Sequence, residues 1–250
     1  MKEEIIDYSL RLGDTALILS QRIAEYCSKA PHLEEDLAIT NVGLDLLGQA
    51  ENLLNYASSL MQDTTADDLT FKRKEKDFRC LHLVQTPNTD FAFILARQFL
   101  IDVYNNLLFD SLCDSKDDTI AGISKKSIKE VRYHLKRSQD WMVRLGQGTQ
   151  ESNERLQFAI DELWMYTEEL FIDNLTDTTI AEQGIGPLNQ SLKPEWLKQV
   201  KNTLESSNID IPKEIHYTLD YGKDGSHTEY LGYLLAEMQH LPLLYPDAKW

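Results

Sequence analysis

The chain has 250 residues, 42% of them hydrophobic and 26% charged. That is enough apolar material for a core resting on burial alone, and the balance excludes disorder as the main state. Lys and Arg number 25 against 41 Asp and Glu, a net charge of −16; such a field repels phosphate backbones and excludes nucleic acid as a partner.

Eleven glycines and seven prolines are about 7% of the chain against an average of about 12%, which favours long, uninterrupted helices. The opening MKEEIIDYSL carries glutamates where a secretory signal needs basic charge before an apolar run. No stretch approaches 18 apolar residues, so no membrane span is expected. Cys27, Cys80 and Cys113 are widely spaced without a Cys-x-x-Cys pair, and read as reduced, mostly buried thiols of a cytoplasmic protein.

Apolar residues recur at intervals of three and four almost throughout. The first predicted helix runs from about Ile5 to Cys27 and stops before Pro31. A second covers about His32 to Leu60, with Leu37, Val42, Leu46, Leu47, Leu53 and Leu54 expected to face inward. Gln62 to Phe71 reads as a polar break, and Phe71 to Arg79 holds five basic residues in nine positions. Thr86-Pro87-Asn88 ends that stretch and makes Asn88 or Thr89 the expected cap of the next helix.

That helix, about Asp90 to Leu112, is apolar on most of its circumference and belongs in the middle of a bundle. Another runs from about Ile120 to Leu145, halting at Gly146-Gln-Gly148, and a fifth from about Asn153 to Asp173. Gly184 to Pro194 reads as a loop, Glu195 to Glu205 as a short helix, Ile209 to Ser226 as irregular, and Thr228 to Leu243 as a final helix. The expected architecture is a single all-α domain, a ferritin-like helical bundle with its core at about 5–174 and a C-terminal helical extension at about 175–250.

A bundle of this kind raises one specific enzymatic reading, the di-metal carboxylate centre. It needs a Glu from each of two helices and Glu-x-x-His from each of two others, because positions i and i+3 share a face. Among the six histidines only His240 follows a Glu at that spacing (Glu237), while His227 follows Asp224 through a glycine-serine turn. One copy of a motif that must occur twice is more economically a solvated surface.

The fourth predicted helix is more informative. Val131, Leu135, Ser138, Met142 and Leu145 define its inward stripe, with His134 at the edge; Val131 stands where a ligand Glu belongs, and Glu130 is offset from it. Asp102 on the preceding helix shares a face with Leu95 and Phe109. Asp102, Glu130 and His134 are thus candidates for a degenerate metal site, and a buried Asp–His hydrogen bond is the simpler reading. Lys125, Lys129, Arg132 and Lys136 form a basic ridge on the opposite side. It is either the solvated face of an amphipathic helix or a docking place for an anionic ligand or acidic partner, as is the cluster at Lys72–Arg79. Dinucleotide, Walker and nucleophile-elbow signatures are missing, and no cysteine has an oriented histidine beside it. Trp141, Trp164 and Tyr166 suit core or interface, core packing being the simpler reading for each.

Five blocks carry a resemblance: Tyr8-Ser-Leu-Arg-Leu-Gly-Asp-Thr-Ala-Leu-Ile-Leu-Ser-Gln-Arg22, Asp36-Leu-Ala-Ile-Thr-Asn-Val-Gly-Leu-Asp-Leu-Leu-Gly-Gln-Ala50, Ala96 to Asp102, Ile128 to Leu135 and Leu234 to Gln239. In this order they resemble the C-subunit family of the bacterial phenylacetyl-CoA epoxidases. The resemblance implies a ferritin-like fold and a structural, non-catalytic chain with no cofactor of its own. It also implies pairing with a homologous A subunit that holds the di-iron centre. That homologue has Glu-x-x-His where this chain reads Val131-Arg-Tyr-His134. A small B subunit and a reductase with FAD and an iron–sulfur cluster complete the implied complex, which places one oxygen atom on the ring of phenylacetyl-CoA, giving the 1,2-epoxide, in aerobic phenylacetate breakdown. The rival readings are a self-sufficient di-iron oxygenase, which metal analysis distinguishes, and a helical binding scaffold unrelated to oxygenation, which co-expression with the A subunit distinguishes.

Overall fold

The computed structural model describes residues 1–212, 221–246 and 248. Among these residues there are ten α-helices and no strand. In chain order the helices are α1 (Lys2–Ala24), α2 (Leu33–Ser59), α3 (Ala66–Phe71), α4 (His82–Gln85), α5 (Phe91–Leu112), α6 (Asp118–Gly146), α7 (Gln150–Trp164), α8 (Leu175–Glu182), α9 (Asn189–Ser206) and α10 (Glu229–Leu244). The all-α class expected of a ferritin-like bundle is therefore what the chain adopts.

The chain divides into two compact units. The first comprises Met1–Glu25, Ile39–Pro87 and Leu219–Trp250. In it α1 and α2 approach closely at two glycines: a β-carbon on Gly13 would stand 3.0 Å from Leu54 Cδ2, and one on Gly43 would stand 3.0 Å from Ile23 Cγ2. Gly222 serves the same end, its α-carbon lying so near the Cys80 carbonyl that a β-carbon would sit 2.0 Å from the oxygen. Glu3 and Glu4 in the first turn of α1 and Arg22 in its last complement the helix dipole.

The second unit comprises Tyr26–Ala38 and Asn88–Thr218. Its centre is α5, buried on most of its surface, with α6, α7 and α9 packed on it. Trp196 of α9 donates its indole N–H to Leu100 O at 3.1 Å, and Tyr104 of α5 donates its hydroxyl to Asn189 Oδ1 at 2.8 Å. These bonds let large amphipathic side chains enter a core without leaving a polar atom unmatched.

Several boundaries differ from the sequence expectation, each for a local reason. α1 ends at Ala24 rather than Cys27, the chain turning through residues 25–28 with Ser28 at φ 69°. The cap of α5 is Asp90, whose carboxylate accepts from Phe93 N at 2.9 Å, rather than Asn88 or Thr89. The polar break at 62–71 contains α3, nucleated by a reciprocal capping box between Thr65 and Asp68. α7 starts earlier, at the Thr149–Ser152 box, and stops at Trp164, followed by a 3₁₀ turn at Glu168–Phe171. α8 was not expected at all, and Asn174 and Asp177 box its start. α9 begins at Asn189, before Pro194, because Asp173 accepts the amides of both Asn189 and Gln190. Of the stretch expected to be irregular, 209–226, positions 213–220 lie outside the described residues.

Leu37 and Leu47, expected to face the core, are exposed, whereas Val42, Leu46, Leu53 and Leu54 are buried as read. The cysteines are free, but only Cys80 is buried; Cys27 is exposed and Cys113 intermediate. No helix among the described residues is long and apolar enough to cross a membrane.

Candidate functional site

The caps of α5 and α6 set the phase of both helices. Asp90 fixes the first turn of α5, and Asp117 accepts from Thr119 N at 3.0 Å and Ile120 N at 2.9 Å at the start of α6. From those starts Gln98 and Asp102 fall on one face of α5, while Val131, His134 and Ser138 fall on the buried face of α6.

Asp102 and His134 are 1% and 2% exposed, respectively. Gln98 Nε2 donates to Asp102 Oδ1 at 2.6 Å, and Ser138 donates its hydroxyl to Leu135 O at 3.1 Å. Burial pushes the Asp102 carboxyl up to about 6. The His134 ring is the strongest of the influences that pull it back, followed by Ser138, Gln98 and the Arg137 guanidinium. Arg137 is itself held by Glu35 at 2.6 Å, from the first turn of α2. Val131 packs with Phe109 and Ile128, so the turn before His134 is a hydrocarbon surface. Glu130 is half-buried beside it.

This arrangement does not fit a di-metal centre. α5 offers an amide and one carboxyl, and α6 offers an imidazole, a hydroxyl and a valine. The nearby guanidinium supplies positive charge where a cation would otherwise be needed. Among the described residues no three His, Cys, Asp or Glu side chains form a group able to hold a metal ion. What the cluster can do chemically is keep one proton and balance one buried charge. Gln98 had a signal in the sequence, since an amide four residues before an Asp is a helix-surface pair. Glu35 and Arg137 had none, lying 102 positions apart.

The other candidates are dispersed. All four ridge residues are exposed; Arg132 pairs with Asp110 at 2.8 Å and Lys136 with Asp140 at 2.7 Å. Lys125 and Lys129 stand in no ion pair among the described residues. The Lys72–Arg79 cluster is split: Arg73 is ion-paired to the buried Asp14 and Arg79 N donates to Asp14 Oδ2 at 2.8 Å, whereas Lys72, Lys74 and Lys76 are exposed, Lys72 pairing with Asp68 at 2.6 Å on the surface. Glu237 and His240 are exposed. Glu237 stands on the wall of an open, mostly apolar cavity of about 630 Å³ that also includes Phe71, Met238 and Leu241. His227 is a structural group, its Nε2 donating to Phe78 O at 3.1 Å. Trp141 meets Phe91 edge-on at 5.1 Å, and Trp164 lies 5.9 Å from Trp196.

The profile of the family described as "Phenylacetic acid catabolic protein" matches residues 1–250. The C subunit of the 1,2-phenylacetyl-CoA epoxidase of Escherichia coli (strain K12) is 45% identical over 247 residues, 99% of either chain. A family match over residues 1–250 and that identity across 99% of both chains show the family: this chain belongs to the phenylacetic acid catabolic protein family.

Proposed function

We propose that this chain is the C subunit of a phenylacetyl-CoA epoxidase and supports, rather than performs, the oxygenation. It pairs with a homologous A subunit that holds the di-iron centre, alongside a small B subunit and a flavin and iron–sulfur reductase. The 45% identity across 99% of a named C subunit supports the assignment to the complex. The supporting role rests on one observation: Val131, buried in hydrocarbon, occupies the position from which a Glu would reach a metal together with His134.

The chain adds no cofactor in this reading. Oxygen activation belongs to the iron of the partner, and this chain contributes a folded helical surface on which that partner is held. The test is epoxidation of phenylacetyl-CoA by the A subunit with and without this chain, combined with metal analysis of this chain purified alone. The reading requires activity to depend on the chain while its own iron stays far below stoichiometric. About two irons per chain, with oxygenation by the chain alone, would reverse it.

A further inference from the structure

The outward side of α2 carries a pattern that its own core does not use. Leu33, Leu37, Thr40, Leu44 and Leu47 follow one another at alternating intervals of four and three, and the next step falls on Glu51. This is the 3.5-residue repeat of a helix–helix seam, narrower than the apolar stripe that faces a globular core. The inward side of the same helix already buries Val42, Leu46, Leu53 and Leu54. Yet Leu33, Leu37, Leu44 and Leu47 remain 71%, 56%, 59% and 39% exposed, respectively. Beside the seam, a β-carbon added to Gly48 would meet nothing within 4 Å, so another backbone can come close there.

The charges say what kind of helix fits. α2 contains Glu34, Asp36, Asp45 and Glu51, besides the Glu35 that Arg137 already neutralises, and neither Lys nor Arg. Two copies pairing seam to seam would set acid against acid, which is unfavourable at the flanks of such a joint. An anionic lipid surface is repelled for the same reason. From Leu33 to Leu47 the seam is about 21 Å long and convex, the shape of a helix-packing surface rather than of a small-molecule pocket.

We propose that this face of α2 docks one α-helix of a protein partner, a helix with its own leucine-type stripe flanked by lysine or arginine. The inference rests on the subunit reading above, which makes the homologous catalytic subunit the partner. The leucines then bury their exposed surface against it, while Glu34 beside the seam and Glu51 at its end meet basic residues of the partner helix.

The experiment is titration calorimetry and gel filtration of the full chain with the purified catalytic subunit. Leu44→Glu and the pair Leu37→Glu with Leu47→Glu are compared with Leu175→Glu, an exposed leucine on α8. Leu44 and Leu37 stand mostly in water and Leu47 lies at the margin, so circular dichroism confirms that each variant is folded, and Leu44→Glu keeps the wild-type melting temperature. Leu44→Glu and the double variant weaken binding by roughly 100-fold, whereas Leu175→Glu leaves it unchanged. Glu34→Lys with Glu51→Lys also weakens it, and more so at low salt. Wild-type affinity in the folded Leu37, Leu44 and Leu47 variants overturns the seam while leaving the subunit reading intact. A wild-type homodimer that Leu44→Glu dissolves overturns it in favour of a second copy. Failure of the wild-type chain to bind the catalytic subunit removes both readings together.

Discussion

Gln85 donates its side-chain amide to Nδ1 of His227 at 3.0 Å, while Nε2 of the same ring donates to Phe78 O at 3.1 Å. One ring nitrogen accepts and the other donates, so the site is built for neutral imidazole. Burial, chiefly, pushes the His227 pKa down to about 4 from 6.5, with the neighbouring His82 and Arg79 acting the same way. In the unfolded chain the ring binds a proton from about pH 6.5 downwards, whereas the folded ring does so only near pH 4. Stability therefore falls as pH drops through that window and is insensitive to this group above it. Urea titrations at pH 7 and pH 4.5 should show a loss of about 2 kcal/mol, after allowance for the part of the ring that water still reaches. His227→Gln should be less stable at pH 7 and should lack that slope.

Asp102 works in the opposite sense. Its folded pKa is raised from 3.8 to about 6, so the folded state holds a proton that the unfolded chain has already released. The contribution is fully present below about pH 4 and is lost as pH rises through about 6. A shift of this size corresponds to about 3 kcal/mol. Asp102→Asn reproduces the neutral form, keeps a partner for Gln98 and should be more stable than the parent at pH 8 by up to about 3 kcal/mol. The two proteins should be closely matched at pH 4. Because the slopes of Asp102 and His227 oppose one another between pH 4 and 6, each single variant should reveal the slope of the other group in the parent. Chemical denaturation across pH 4–8 checks both; parallel curves for the Asp102→Asn variant and the parent would contradict this account.

How far the sequence spoke for itself depends on whether a feature is local. The central position of α5 is written in its composition, since a helix apolar on nearly every side has nowhere else to go. The burial of Asp102 is equally local, for Leu95 and Phe109 share its face. The direction of the leucines on α2 is not, because leucine looks the same in a core stripe and in a seam. Only the exposure of Leu37 and Leu47 against the burial of Val42 and Leu46 separates the two faces. α8 was hidden for a different reason: it is eight residues long and buries one apolar side chain, Ile180. Its signal was the Asn174-x-x-Asp177 box rather than any periodicity. The pairing of Glu35 with Arg137 is set by tertiary approach alone, and no spacing announces it.

Arg73 illustrates how a basic run can be structural. The run Phe71 to Arg79 reads as a docking surface, yet the Arg73 guanidinium is ion-paired to Asp14, donates to Asp77 O at 3.1 Å and lies 4.1 Å from the centre of the Phe78 ring. Asp14 is fully buried; burial raises its carboxyl pKa, and Arg73 is the main opposing influence. Arg73→Met should cost about 3–5 kcal/mol, because a buried carboxylate is left without its cation. Arg73→Met combined with Asp14→Leu should cost much less, since no uncompensated charge remains. Equal losses in the single and double variants, measured by urea denaturation at pH 7, would show that the ion pair is not the cause. Arg73→Lys should be intermediate, as an ammonium cannot hold both carboxylate oxygens in one plane.

Gly146 closes α6 at a point where two backbones nearly touch. A β-carbon there would sit 1.9 Å from Ser207 O, a main-chain atom that no rotamer can move aside. The same turn is knitted by Asn153 Nδ2, which donates to Gly146 O at 2.8 Å and to Asn208 O at 3.1 Å, and by Gln147 Nε2 donating to Ser206 O at 2.7 Å. Gly146→Ala must therefore separate the ends of α6 and α9 and break part of this set. The expected cost is about 2–3 kcal/mol, at the upper end of ordinary overpacking because backbone must shift. Gly122→Ala is the matched control: it is also within α6, with nothing within 4 Å of an added β-carbon, and should gain up to about 1 kcal/mol from helix propensity. The two substitutions add the same methyl group to the same helix, so opposite signs in thermal denaturation would assign the loss to the close approach of Ser207 rather than to the chemistry of alanine.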